Sequence, residues 1–346
     1  MTHQELINLF NETMSEASAI VGSHIFNGIP DDELINAIDA LRYMDPNHLG
    51  ANYSDRLTDA LYFIKYGHAY AFEYAAMFDA VLNCENEKAG ENAAHIDSIK
   101  PVTFGCGSFI STFSLVFAYS NKKENRRNFR IHQPGTDIGV DLTQWPLTFN
   151  QEGINAELKQ MDIVDYIANH FDPSANLLAF TKILNELDSN VVDAIIDAIR
   201  NKAQAGAFSG NVYYICISHS LSEYEHNPSV REIAERIIEA INVNNEFEID
   251  DSIPEYFYQN TVSDDERLKL LPVDPDELCK CYGFVSGDDD KYVSVLKFFG
   301  GSFNPAGIDD VTHQLKSHTP EFRAIRTVSQ VRMQIIRLTR IEGDNV

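Results

Sequence analysis

The stretch Val102-Thr103-Phe104-Gly105-Cys106-Gly107-Ser108 constrains this chain more than any other. A short apolar run with β-branched and aromatic character stops at two closely spaced glycines. Apolar residues then recur at helical spacing through Phe109, Phe113, Val116 and Phe117. The pattern predicts a strand, a tight turn and a helix start. Glycines there allow positive φ and close approach of another group, and the first N–H groups of the helix favour anionic or hydrogen-bonding partners. A tight strand-to-helix turn in any α/β protein accounts for the motif as well as a ligand site does.

Beyond this turn the chain alternates in the manner of an open α/β sheet. After a basic cluster, Lys122 to Arg130, a second strand is expected over Asp137-Ile138-Gly139-Val140-Asp141. Its terminal carboxylate, Asp141, would stand beside the glycine turn and accept hydrogen bonds from hydroxyls of a bound sugar. A helix is expected over residues 153 to 170. Asn176 to Phe180 reads as a buried strand ending at Thr181-Lys182, and Asn190 to Arg200 as a helix. Asn211 to Ile217 is a continuous apolar run suited to a central parallel strand. Ser229 to Ile241 is a further amphipathic helix. Late strands are expected at Leu278 to Val285, Tyr292 to Phe299 and Val331 to Leu338.

Residues 1 to about 95 read as a helical segment packing on a core domain over 96–346. Within its long third helix, Tyr62, Tyr66, Tyr70 and Tyr74 fall at four-residue intervals and form one stripe. Such a stripe is either a packing seam or one wall of a pocket. Cys84 to Ser98, polar and containing Gly90, reads as a surface connection.

Charge narrows the partners. Lys and Arg total 27 against 52 Asp and Glu, for a formal net charge of −25. That field repels phosphate backbones and anionic membranes, so nucleic-acid contact is confined to the basic segment 122–130, itself otherwise a solvated loop. The five cysteines are odd in number and scattered, which indicates a reducing compartment, and no signal-like or membrane-length apolar stretch is present. A cytoplasmic location is expected. Cys279-x-Cys281 lacks the four ligands of structural zinc, and Asp288-Asp289-Asp290 lacks calcium-loop spacing, so no metal site is expected. Cys216, though close to Ser218 and His219, is embedded in an apolar strand where an inert thiol is the usual outcome.

The ordered set Val102 to Ser108, Asp137 to Trp145, Asn176 to Glu186 and Asn211 to Ser218 resembles the core of class I S-adenosylmethionine-dependent methyltransferases. It is similar in particular to a bacterial and prophage group in which a Tyr-rich helix precedes the glycine turn. The resemblance implies a Rossmann-like seven-stranded sheet with an antiparallel final hairpin and S-adenosyl-L-methionine as the cofactor. The methionine moiety would lie over Gly105, Cys106, Gly107 and Ser108, the ribose on Asp141, and the adenine near Leu142 and Asp162. Tyr66, Tyr70 and Tyr74 would face the acceptor. Lys182, Glu186 and His219, near strand ends, are the candidates for handling an acceptor proton.

The chain departs from the family in three ways. Phe109 stands where a third small residue is usual. The Asn/Asp-Pro-Pro-aromatic tetrad of amino methyltransferases is missing after Phe180, and no Pro-Cys pair exists for cytosine C5 chemistry. The acceptor is therefore open between small molecule, protein and nucleic acid. The alternative reading is a catalytically silent interaction protein on the same fold, acting in defence, counter-defence or toxin neutralisation.

Overall fold

The computed structural model describes residues 3–42, 55–89, 99–105, 110–122, 131–137, 154–184, 187–220, 228–249, 256–258 and 331–341. Helix α1 (His3–Gly22) forms because Phe10, Met14, Ala17 and Val21 recur at three- and four-residue spacing, and that stripe is wholly buried. Asn27 and Gly28, both at positive φ, then turn a two-residue hairpin between β1 (Ile25–Phe26) and β2 (Ile29–Pro30). Asp31 starts α2 (Asp32–Arg42), its Oδ1 accepting the Leu34 N–H at 2.9 Å. Asp55 does the same for α3 (Arg56–Ala89), accepting the N–H and hydroxyl of Thr58 at 2.9 and 2.8 Å. At 1.5 Å per residue, α3 runs about 50 Å.

The sheet is built from β3 (Pro101–Phe104), β4 (Ile131–Asp137), β5 (Ile154–Gln160), β6 (Leu177–Thr181), β7 (Val212–Ser220), β8 (Phe247–Ile249), β9 (Tyr256–Tyr258) and β10 (Val331–Arg340). Between them lie α4 (Ile110–Lys122), a short α5 (Ile163–Asp165) continuing as a π turn over Tyr166–His170, α6 (Ser189–Gln204) and α7 (Pro228–Ile241). The strand order is β5-β4-β3-β6-β7-β10-β8. The first five are parallel, and β10 runs antiparallel to both β7 and β8. This is the expected Rossmann-like open sheet, seven strands with an antiparallel edge, preceded by a helical N-terminal segment. Strand β9, on Val331 to Met333 of β10, adds an eighth.

Period-two alternation divides the core. Val102, Phe104, Leu178, Phe180, Tyr213, Ile215, Ile217 and Leu338 face α5, α6 and α7 in one apolar cluster. The other face presents Thr103, Ala179, Tyr214, Cys216 and Ser218, all buried, towards α3 and α4. Its small residues let the long helix lie close. Glu73 of α3 meets Lys182 just past the carboxyl end of β6, while Glu85 meets Tyr214 near the amino end of β7. Helix α3 therefore runs antiparallel to the central strands.

Three expectations are corrected. Residues 154–160 are strand β5 and not helix; Ile154, Ala156 and Leu158 alternate with Asn155, Glu157 and Lys159, a period-two pattern that the helix-favouring Glu, Leu and Lys obscure. The second parallel strand is Ile131–Asp137, ending where a strand over 137–141 was expected to begin; Pro134 and Gly135 disguise it. Helix α3 also continues through Ala89, so Cys84 and Glu85 belong to a packed helix and not to a surface connection. The expected strands at 278–285 and 292–299 lie outside the described residues.

Candidate functional site

In an open parallel sheet, ligands bind beyond the carboxyl ends of the strands, at the point where successive connections depart in opposite directions. That point lies between β3 and β6: the chain leaves β3 for β4 and β5 on one side, then returns to β6 on the other.

Gly105 ends β3 at φ +63°, and a Cβ built there would stand 2.1 Å from Ile183 Cδ1. Both the backbone angle and the space require glycine. Beside it, β4 ends at Asp137: the parallel register pairs Phe104 with Thr136, one position earlier, and Asp137 pairs in turn with Gln160 at the end of β5. Asp137 thus occupies the strand-end position beside the glycine turn. Asp162 comes just after β5, and its Oδ1 accepts the N–H groups of Val164 and Asp165 at 2.8 and 3.2 Å, capping the α5–π segment. Its side chain is exposed at the same edge.

On the β6 side, Lys182 has φ +53°, an angle rare for a side-chain-bearing residue. Its N–H is held by the Ser218 carbonyl and hydroxyl, each at 3.1 Å. Its Nζ lies 2.5 Å from Glu73 Oε2 and 3.7 Å from the centroid of the Tyr70 ring. Both charged side chains are almost fully enclosed, at 7% and 0% exposure. The tyrosine stripe continues from that point. Tyr70 stacks on Tyr66 with centroids 5.0 Å apart and planes 16° apart, Tyr66 meets Tyr62 at 4.9 Å, and Lys65 Nζ sits 4.9 Å from the Tyr66 ring. Tyr66 and Tyr70 are half-buried, whereas Tyr74, 5.7 Å from Tyr70, is buried.

The structure therefore brings Gly105, Lys182, Tyr70 and Tyr66 to one edge, with Asp162 beyond β5. His219 is placed differently: it lies near the end of β7, paired in register with Arg332 of β10, and is fully enclosed. Cys106, Gly107, Ser108, Asp141, Leu142 and Glu186 lie outside the described residues, as do Phe109 and residues 123–130. Burial pushes the Cys216 thiol far above its ordinary range, which keeps it protonated and unreactive. No cluster of three or more metal-ligating side chains occurs among the described residues. Also among the described residues, no helix is long and apolar enough to cross a membrane.

Sequence reasoning missed two residues of this edge. Asp137 was visible, but as the start of a strand instead of its end. Glu73 carried no signal beyond its place in a helix; its position next to Tyr74 puts it beside the tyrosine stripe, not on it, and only the fold brings Lys182 to it. For a nucleoside cofactor two features of this edge fit: a positive-φ glycine turn at the switch point, and an acidic residue type, Asp137, at the register position beside it.

No family model matches the chain, and no curated protein matches it. Solved structures do. A loganic acid methyltransferase with SAH is 14% identical, covers 82% of this chain and 98% of its own, and has a TM-score of 0.34. The plantazolicin methyltransferase BpumL, in complex with triazolic desmethylPZN analog and SAH, is 11% identical over 98% of this chain and 100% of its own, with a TM-score of 0.35. A putative methyltransferase from Thermobifida fusca YX is 15% identical over 89% and 94%, with a TM-score of 0.33. Scores this low add nothing to the strand order, on which the fold stands by itself.

Proposed function

We infer that this protein binds S-adenosylmethionine across the carboxyl edge of its sheet and transfers the methyl group to an acceptor seated against α3. The observation that carries this reading is the coincidence of three things at one edge. The strand order is that of a methyltransferase sheet, the Gly105 turn stands at its switch point, and Asp137 stands at the next strand end.

In this reading the backbone from Gly105 through Cys106, Gly107 and Ser108 receives the methionine moiety. Asp137 takes the ribose, a part for which Asp141 is the alternative, and Leu142 and Asp162 border the adenine. Tyr66, Tyr70 and Tyr74 form the acceptor side, and Lys182, Glu186 and His219 are the groups proposed to handle its proton. The bound cofactor supplies an already reactive methyl group, so the protein contributes orientation, exclusion of water and proton removal.

Calorimetry with S-adenosylmethionine and S-adenosylhomocysteine tests the binding half. Saturable heat that weakens in Asp137→Ala, and less so in Asp141→Ala, supports the assignment. Heat from neither ligand overturns it.

A further inference from the structure

We propose that Lys182 is itself a methyl acceptor, its amino group placed by Tyr70 and Glu73 at the end of the strand that borders the glycine turn. The inference rests on the donor binding inferred above and goes beyond it by naming an acceptor within the chain, a role Lys182 takes here in place of handling the proton of a separate acceptor.

Position comes first. Phe104 and Phe180 pair in parallel register, which sets Gly105 level with Thr181 on the neighbouring strand, and Lys182 follows one residue beyond. Ile183, next to Lys182, packs directly on Gly105. The lysine is also held under backbone strain. A non-glycine residue at φ +53° persists only where its surroundings over-determine it, and Ser218 supplies two acceptors for its N–H.

The side chain is held as firmly. Its Nζ lies 3.7 Å from the Tyr70 centroid and 2.5 Å from the Glu73 carboxylate, with both charged groups out of solvent. A buried ion pair is weak evidence for stability, because desolvation of the two charges offsets their attraction. An aromatic face with a carboxylate beside it is, however, what recognises an ammonium group, and it holds a methylated ammonium equally well.

The step balances. The Lys182 ammonium passes a proton along the short contact to Glu73, leaving a neutral amine and a carboxylic acid. The amine lone pair forms a bond to the methyl carbon of a methylsulfonium donor. The carbon–sulfur bond breaks, and its electron pair stays on sulfur, which departs as a neutral thioether. The nitrogen becomes a methylammonium and Glu73 holds the proton it took, so that the net charge is the same before and after the step.

The test uses the full chain, as isolated and after incubation with methyl-deuterated S-adenosylmethionine, followed by peptide mass mapping. Calorimetry with S-adenosylhomocysteine runs in parallel. The expected result is a labelled methyl group on Lys182, with Lys65, seated on Tyr66, left unmodified as the internal control. In Glu73→Gln the labelling slows by at least about tenfold, the loss expected when a positioned proton acceptor is removed.

No label on Lys182 in a protein that binds the thioether overturns this inference and leaves the functional reading intact. Absence of binding overturns both. Equal labelling of Lys65 and Lys182, or an unchanged rate in Glu73→Gln, shows reactivity without placement and also overturns it. The wild-type map decides the question even where the variant fails to fold.

Discussion

Two neighbouring residues at the carboxyl edge, Gly105 and Lys182, adopt positive φ, and Ile183 joins them by filling the space above the glycine. Gly105→Ala would force an alanine into the left-handed region and drive its Cβ to 2.1 Å from Ile183 Cδ1. Strain and overpacking together should cost about 3 kcal/mol of stability, read from chemical denaturation. In an Ile183→Ala background the collision is relieved but the backbone strain stays, so the same substitution should cost less there. Equal costs in both backgrounds would show that the two side chains do not meet. The need for glycine at 105 was legible as a turn signal. The need created by Ile183 was not, because residue 183 reaches the turn only through the pairing of β3 with β6.

At the scale of elements, α3 is fastened to the sheet by a second buried cluster, distant from the first. Tyr214 of β7 donates its hydroxyl to Glu85 Oε1, and Arg337 Nε of β10 donates to the same carboxylate at 3.2 Å and to the Tyr214 oxygen at 3.0 Å. Glu85 and Arg337 are only 9% and 11% exposed. Glu85→Ala removes the buried carboxylate that Arg337 and Tyr214 share and should lower stability by about 3 kcal/mol. The double variant with Arg337→Met should lose less than the sum of the two single changes, as a denaturation cycle would show.

The tyrosine adds a pH signature. Burial, and then the hydrogen bond and charge of Glu85, raise the Tyr214 hydroxyl well above the ordinary tyrosine value. The folded state keeps that proton after the unfolded chain has lost it. The stabilisation is therefore complete below the ordinary tyrosine range and falls as pH rises through and beyond it. The wild type's advantage over Tyr214→Phe should accordingly narrow in alkali, and a constant gap would contradict the assignment.

Elements were legible where periodicity and burial agree. Strands β6 and β7 and helices α6 and α7 carry unbroken apolar patterns because both faces of the central strands, and one face of each helix, are covered. Strands β4 and β5 were missed or misplaced because they lie towards the sheet's far edge. Pro134 and Gly135 there, and the alternation of Glu157 and Lys159 with apolar residues, carry little β signal by themselves. Glu85 was hidden for another reason: a lone acid in a polar stretch reads as solvated until the fold supplies Arg337, 252 positions away in sequence.

At the scale of the whole molecule, the sheet divides the labour. One face carries an apolar cluster with α5, α6 and α7; the other is closed by α3 and α4, so that α3 brings its tyrosines and Glu73 to the edge where the switch point opens. The formal charge of −25 surrounds this arrangement and disfavours broad contact with nucleic acid. The fold class was readable from the alternation of elements, and the glycine turn located the edge. The acceptor side was only half readable: the tyrosine stripe is local to one helix, but the ion pair beside it, Glu73 with Lys182, joins segments that the sequence holds far apart.

The central claim is that a nucleoside cofactor lies across the Gly105 turn with its sugar at Asp137, and titration calorimetry with S-adenosylhomocysteine tests it most directly. The account predicts one saturable binding event in the wild type that weakens by at least about tenfold in Asp137→Ala, the loss expected on removing a carboxylate that accepts sugar hydroxyls. Absence of heat in the wild type, or equal affinity in Asp137→Ala, would contradict it.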